Sequence, residues 1–281
     1  MNVVICASES AVTQYAYTFV RDRMNRKRYR VLGLPTGSTP LRLYCALVEG
    51  YKRGEVDFGD VHTFNLDEYL GLPPDHPQSY RCFMQTNLFS HINLKSENIH
   101  FLSGLPADIE AECENYERAI HDLGGLKLQI LGIGRDGHIG FNEPTSSLAS
   151  RTRDKTLTRA TIEDNRRFFE KDEEVPRWAL TMGVGTILEA REILLLATGR
   201  AKADAIAAMV EGPLTAMCSA SALQMHPRVT VVIDETAAAK LNHDEYYRWM
   251  AENDVHMAGY LEERRELFRQ AQAPDPSKSS S

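Results

Sequence analysis

One histidine between two carboxylates, on a glycine-rich loop, is the densest chemistry in this chain. The stretch reads Gly132-Ile133-Gly134-Arg135-Asp136-Gly137-His138-Ile139-Gly140-Phe141-Asn142-Glu143-Pro144. With Asp136 and Glu143 on either side, His138 can be held in one tautomer and kept basic enough to move protons. The glycines let backbone come close to a ligand. A lone histidine is more often a buried one satisfied by a carboxylate. Two flanking acids and the glycines favour proton transfer here.

Two further stretches have the same strand-then-loop character. Phe64-Asn65-Leu66-Asp67-Glu68-Tyr69 puts two adjacent acids just past an apolar run. Adjacent side chains diverge, so one acid can face a crevice while the other bonds nearby backbone. A carboxylate at the crevice can act as a general base if its pKa is tuned. A simple cap or turn is the alternative. Leu34-Pro35-Thr36-Gly37-Ser38-Thr39-Pro40 follows a strand pattern and opens a helix. Thr39 is expected as the N-cap, with Pro40 at the first helical position. Backbone N–H groups and three hydroxyls there would cradle an anion, although the same loop also reads as a turn without a ligand. No Gly-Lys-Ser/Thr follows, so a phosphate monoester fits better than a nucleoside triphosphate.

Cations complete the inventory. Residues 146–156 mix hydroxyls with Arg151, Arg153 and Lys155, a composition suited to phosphate. Arg166-Arg167-Phe168-Phe169 sets arginines beside aromatics, and Lys202 opens a helix after a strand. Each of these cations could equally be solvated. The spacing Gly132-x-Gly134-x-x-Gly137 formally matches a dinucleotide fingerprint. That motif runs straight into a helix, whereas Pro144 resists one here. The acid expected about 20 residues on could only be Asp154, in a segment that does not resemble a strand end.

The elements that must position these groups alternate. Apolar strands are expected at Val3–Ile5, Val31–Leu34, Val61–Phe64, Leu126–Leu131, Ile193–Ala197 and Val229–Ile233. Helical spacing runs over Ser8–Asn25, Leu41–Lys52, Ser79–Phe89, Ala111–Leu123 and Lys202–Glu211. The pattern predicts an α/β fold with a parallel sheet covered on both faces. Residues 145–177 break the rhythm and are expected to form an excursion or lid within a single domain spanning 1–262. Residues 263–281 are expected to form an extension with a disordered end.

Composition narrows the function. The chain has 281 residues, 43% of them hydrophobic, and a net charge of -7. That acidity argues against nucleic acid as a partner. No apolar run approaches the roughly 20 residues needed to span a bilayer, and the N-terminus lacks the features of a secretion signal. Five scattered cysteines without a Cys-x-x-Cys pair suggest reduced thiols in a cytoplasmic protein. No metal-binding constellation such as His-Glu-x-x-His is present, and no cofactor is implied.

With these residues placed, the chain resembles the glucosamine-6-phosphate deaminase (glucosamine-6-phosphate isomerase) family. The matching pieces are Leu32–Pro40, Thr63–Tyr69, Gly71–Pro73, His76-Pro77, Ser79-Tyr80, Gly134–Pro144, Ser146–Arg153, Arg167–Phe169 and Leu180–Thr186. They run in family order over about 1–240. Gly140 stands where alanine is usual, a change expected to be tolerated. The resemblance implies a three-layer α/β/α fold with a modified Rossmann-like sheet. It also implies conversion of glucosamine 6-phosphate and water to fructose 6-phosphate and ammonia. By resemblance, Thr36, Gly37, Ser38, Thr39, Arg167 and Lys202 bind the substrate. His138 opens the sugar ring, oriented by Asp136 and Glu143, and Asp67 moves the C2 proton. Ser146, Arg153, Lys155 and Thr156 match an allosteric site for N-acetylglucosamine 6-phosphate in family members that are often hexamers. Asp154 adds a negative charge to that segment. The stretch Asn242–Trp249 aligns poorly with the family's C-terminal region. A 6-phosphogluconolactonase-like hydrolase and a non-catalytic sugar-phosphate sensor are the alternative readings.

Overall fold

A computed structural model describes residues 1–26 and 29–253. The expected extension at 263–281 lies outside them. Seven strands form one sheet: β1 (Asn2–Cys6), β2 (Val31–Leu34), β3 (His62–Asn65), β5 (Ile99–His100), β6 (Leu128–Leu131), β9 (Ile193–Ala197) and β10 (Val229–Asp234). The order across the sheet is β1-β10-β9-β6-β2-β3-β5, and every pairing is parallel.

Alternation along these short strands builds two cores. Val4 and Cys6, Leu128 and Ile130, Leu194 and Leu196, and Val232 pack on one face. There they meet α1 (Glu9–Met24) and α2 (Ser38–Lys52) through Val12, Phe19, Leu43 and Leu47. Val3, Ile5, Ile193, Leu195, Val231 and Ile233 point the other way. They meet α4 (Ile109–Asp122), α6 (Val184–Leu188) and α7 (Ala203–Val210) through Tyr116, Ile120, Ile187, Ile206 and Met209. A sheet buried on both faces follows from this two-residue period.

Beside it stands a three-stranded antiparallel sheet, β4 (Asp67–Tyr69), β8 (Trp178–Thr181) and β7 (Arg153–Thr156), in the order β4-β8-β7. The excursion expected at 145–177 therefore supplies β7 and α5 (Arg159–Arg166). Asp154 is the second residue of β7, opposite Leu180 of antiparallel β8, and so does not end a strand of the parallel sheet. A small aromatic cluster holds this layer together: Phe169 packs edge-on to Tyr69 with centroids 5.8 Å apart, and Tyr69 and Phe141 lie 5.5 Å apart. The remaining α-helices among the described residues are α3 (Tyr80–Asn87) and α8 (Asp244–Asn253).

Candidate active site

Ligands in open parallel sheets bind beyond the carboxyl ends of strands, where the strand order reverses. Here β2 and β6 are neighbours, and α2, which follows β2, packs on one face of the sheet while α6, the main-sheet helix that comes after β6, packs on the other. A cavity of about 430 Å³ opens at that point. Its lining includes Thr36, Gly37, Ser38 and Thr39 after β2, Asp67 after β3, His138 after β6, and Arg167 and Lys202. Asp136 and Glu143 stand behind His138.

The β2 loop turns at Gly37, whose φ of +114° and ψ of 179° suit only glycine. Because the chain reverses there, α2 begins at Ser38 and Gly37 is its N-cap, with no side chain closing the end. The expected Thr39 cap is thus corrected, and Pro40 sits within the first turn, where its missing N–H costs nothing. The uncapped N–H groups and the hydroxyls of Ser38 and Thr39 remain available to an anion.

Asp67 is 6% exposed at the start of β4. Burial, reinforced by neighbouring Glu68, pushes its carboxyl up to about 8, against a smaller opposing pull from His138. Glu68 takes the other direction that adjacency allows. Its Oε1 accepts from the N–H groups of Tyr69 and Tyr80, both at 2.9 Å, and its Oε2 accepts from Arg81 N–H at 3.0 Å. It thereby caps α3, helped by Ser79 Oγ, which accepts from Cys82 N–H. Asp67 is left as the acid facing the cavity.

His138 Nδ1 lies 2.7 Å from Asp136 Oδ1 and 3.4 Å from Glu143 Oε2. Burial opposes its charge, but the two carboxylates outweigh burial and raise it to about 9. Asp136 and Glu143 are held below the usual carboxylate range: burial works against ionisation, and contact with His138 overcomes it. Glu143 is anchored by Thr158, whose N–H donates to Oε1 at 3.2 Å. Donor atoms of Asp136, His138 and Glu143 lie within 4.8 Å of one another, the geometry of a candidate metal site. A proton on the imidazole satisfies the same two carboxylates.

Ser219, which no sequence pattern singled out, helps to hold this loop. Ser219 Oγ accepts from Ile139 N–H at 3.3 Å and donates to Asn142 O at 2.8 Å. Phe141 N–H donates to Thr181 Oγ1 at 3.0 Å, and Asn142 Nδ2 donates to Met182 O at 2.8 Å. Ser219 has no local signal because its partners lie 77 and 80 residues away. Gly140 has φ +56°, and a Cβ there would lie 3.0 Å from Thr181 Oγ1 and 3.4 Å from Asp67 Oδ2.

The cations are sorted by their contacts. Lys202 Nζ donates to Ile133 O at 2.7 Å at the cavity wall. Arg167 lines the cavity with its guanidinium over the Phe168 ring, 4.7 Å from the centroid. Arg166 is committed elsewhere, donating to the carbonyls of Lys171 and Glu173. The segment expected to be allosteric spans β7 and the loop that precedes it. Arg153 and Lys155 share one face of β7, while Asp154 and Thr156 take the exposed opposite face. Asp154 therefore lies on the face of β7 opposite the two cations. Ser146 is buried, its Oγ without a hydrogen-bond partner. Arg153 Nη1 donates to Asn142 Oδ1 at 3.0 Å, joining β7 to the histidine loop.

Residues 7–232 match the family described as glucosamine-6-phosphate isomerases/6-phosphogluconolactonase. A glucosamine-6-phosphate deaminase of Hahella chejuensis is 56% identical over 259 residues, covering 92% of this chain and 99% of that one. A solved structure described as a monomeric glucosamine-6-phosphate deaminase is 42% identical, with a TM-score of 0.83 over 85% of this chain and 100% of its own. A 6-phosphogluconolactonase from Trypanosoma cruzi shares the fold at 19% identity and a TM-score of 0.70, covering 86% of this chain and 97% of its own. The chain belongs to the glucosamine-6-phosphate isomerase/6-phosphogluconolactonase family.

Proposed function

We propose that this chain is a glucosamine-6-phosphate deaminase, converting glucosamine 6-phosphate and water to fructose 6-phosphate and ammonia. The observation that carries the reading is a buried, proton-holding Asp67 and a doubly flanked His138 on one cavity, beside an uncapped helix start and two cations. The phosphate sits at Thr36–Thr39, with Arg167 and Lys202 supplying positive charge. His138, charged at neutral pH, donates to the ring oxygen O5, and the proton on O1 is returned to the imidazole. Asp136 and Glu143 orient the ring and stabilise its charge.

Asp67 then acts on the open chain. A substrate ammonium nearby favours its carboxylate form. The carboxylate takes the C2 proton and delivers it to C1, leaving C2 bonded to nitrogen at the oxidation level of a ketone. Water adds at C2, ammonia leaves, and the ketose is released. These steps need no cofactor.

A lactonase reading would share the phosphate cradle and the Asp-Gly-His turn. It gives no task to Asp67 on β4 or to the Asn142-Glu143 continuation, and so is less favoured. Sugar-phosphate sensing without turnover is the remaining alternative. Assaying ammonia from glucosamine 6-phosphate, beside hydrolysis of 6-phosphogluconolactone, separates the three. Ammonia release with negligible lactone hydrolysis is expected. Lactone hydrolysis alone, or binding with neither product, would sink the deaminase reading.

The proposal extends to setting and regulation. The five cysteines are free, which suits a reducing cytoplasm. Among the described residues no helix is long and apolar enough to cross a membrane. An oligomer, with a homohexamer as the family expectation, and a response to N-acetylglucosamine 6-phosphate stay within the proposal. Arg153, bonded to Asn142, is the route by which an anion on β7 would reach the catalytic loop. The 42%-identical relative is described as monomeric, so assembly size is for measurement.

A further inference from the structure

Arg135 is a cavity-lining cation that the reading above leaves without a task. It sits on the histidine loop, next to Asp136. Across the cavity mouth, on α5, stands Asp164, which also lines the cavity. Arg135 Nε donates to Asp164 Oδ2 at 2.9 Å, and a second guanidinium N–H donates to Oδ1. The two side chains are 60% and 42% exposed. An ion pair so wet adds little to stability, and its partners exchange easily.

Three facts make this pair more than a surface bridge. First, it closes a fork: the guanidinium presents two parallel N–H donors to two oxygens, the arrangement that also fits phosphate. Second, Arg135 is close enough to Lys202 that, after burial, its charge is the main influence lowering that ammonium's pKa. A dianion between them would relieve the repulsion. Third, Asp164 puts a negative charge at the edge of a cavity whose other charged groups there, Lys202 and Arg167, suit an anion. In the empty cavity that charge is paired with Arg135.

We propose that Arg135 is a further ligand for the substrate's phosphate, occupied in the empty site by Asp164, which the phosphate displaces. Asp164 is then an internal competitor that sets substrate affinity. An amino sugar lacking phosphate cannot take the guanidinium and leaves the mouth bridged. The inference rests on the sugar-phosphate reading of the cavity.

The test is paired substitution on the full chain. KM and kcat for glucosamine 6-phosphate are measured, together with calorimetric Kd for inorganic phosphate, on wild type, Arg135→Gln, Asp164→Asn and the double variant. Removing one charge-assisted contact is expected to raise KM and phosphate Kd about tenfold in Arg135→Gln, with the larger effect on KM than on kcat. Asp164→Asn is expected to move both the other way, several-fold lower, and the double variant to follow Arg135→Gln. Thermal melts confirm that the variants fold. If the bridge only ties α5 to the loop, both single variants raise KM together, which overturns the proposal. Phosphate Kd within twofold of wild type in Arg135→Gln also overturns it. A wild type that binds phosphate but releases no ammonia fails the deaminase reading instead, and the Kd series still decides the role of Arg135.

Discussion

Asp67 and His138 both hold a proton longer than their kinds usually do, for opposite reasons. Asp67 is pushed to about 8 because burial disfavours its charge, while His138 reaches about 9 because two carboxylates favour its charge over the cost of burial. The consequences for rate follow by sign. Asp67 is a base only when deprotonated, so kcat/KM rises as pH passes about 8. His138 donates only when charged, so kcat/KM falls as pH passes about 9. A narrow bell is expected, with apparent values that belong to the pair. Glu68→Gln removes the charge that assists burial and should shift the ascending limb to lower pH. A pH–rate profile in which that limb stays put would show that Glu68 has no such influence. Stability runs in one direction. The His138 contribution is fully present below its unfolded value of about 6.5 and is lost as pH rises through about 9. Ionising buried Asp67 costs stability as pH climbs from its usual range towards about 8. Melting temperature should therefore fall between pH 7 and 9.5, and the fall should be shallower in Asp67→Asn. At this scale the sequence was readable where chemistry is local. Asp136, His138 and Glu143 lie within one short loop, and the divergence of Asp67 from Glu68 follows from adjacency.

Elements were readable where their apolar period was strong and unreadable where pairing is remote. The six expected strands occupy the parallel sheet, and the expected helices recur with shifted ends. The strands β4, Asp-Glu-Tyr, and β7, Arg-Asp-Lys-Thr, carry no apolar run to mark them, and β7 has one exposed face. Thr39 was misplaced as a cap because the turn depends on the φ of Gly37, a backbone property with several sequence solutions. Glu117 on α4 has a role no local pattern announces. Its Oε1 accepts from Thr152 N–H at 2.8 Å, Thr152 Oγ1 at 2.5 Å and Thr186 Oγ1 at 2.6 Å, and Arg151 pairs with its other oxygen. It ties the segment leading into β7 to the main sheet's helix layer. Glu117→Ala leaves those donors without their acceptor and should cost about 1–3 kcal/mol, several degrees in melting temperature for a chain of this size. A melt within one degree of wild type would show that the segment is held by its aromatic cluster instead.

At the scale of the whole molecule, the fold brings the ends of β2, β3 and β6 to one cavity, so Thr36, Asp67 and His138 line it together although they lie far apart in the chain. Regulation is the weaker part of that picture. Thr156 faces away from Arg153 and Lys155, and Ser146 is buried. Substrate-saturation curves with N-acetylglucosamine 6-phosphate should therefore shift by less than the roughly fivefold of ordinary coupling. A larger shift, lost in Arg153→Ala, would show a complete effector site. The central claim is that Asp67 carries the C2 proton of glucosamine 6-phosphate. It is tested most directly with substrate deuterated at C2, following deuterium by NMR and ammonia release together. Wild type should release ammonia while deuterium leaves C2 for C1 of the ketose and for solvent. Asp67→Asn should do neither, with turnover down about 10²–10⁴-fold and phosphate binding kept. Deuterium transfer and ammonia release at near wild-type rates in Asp67→Asn would contradict the account.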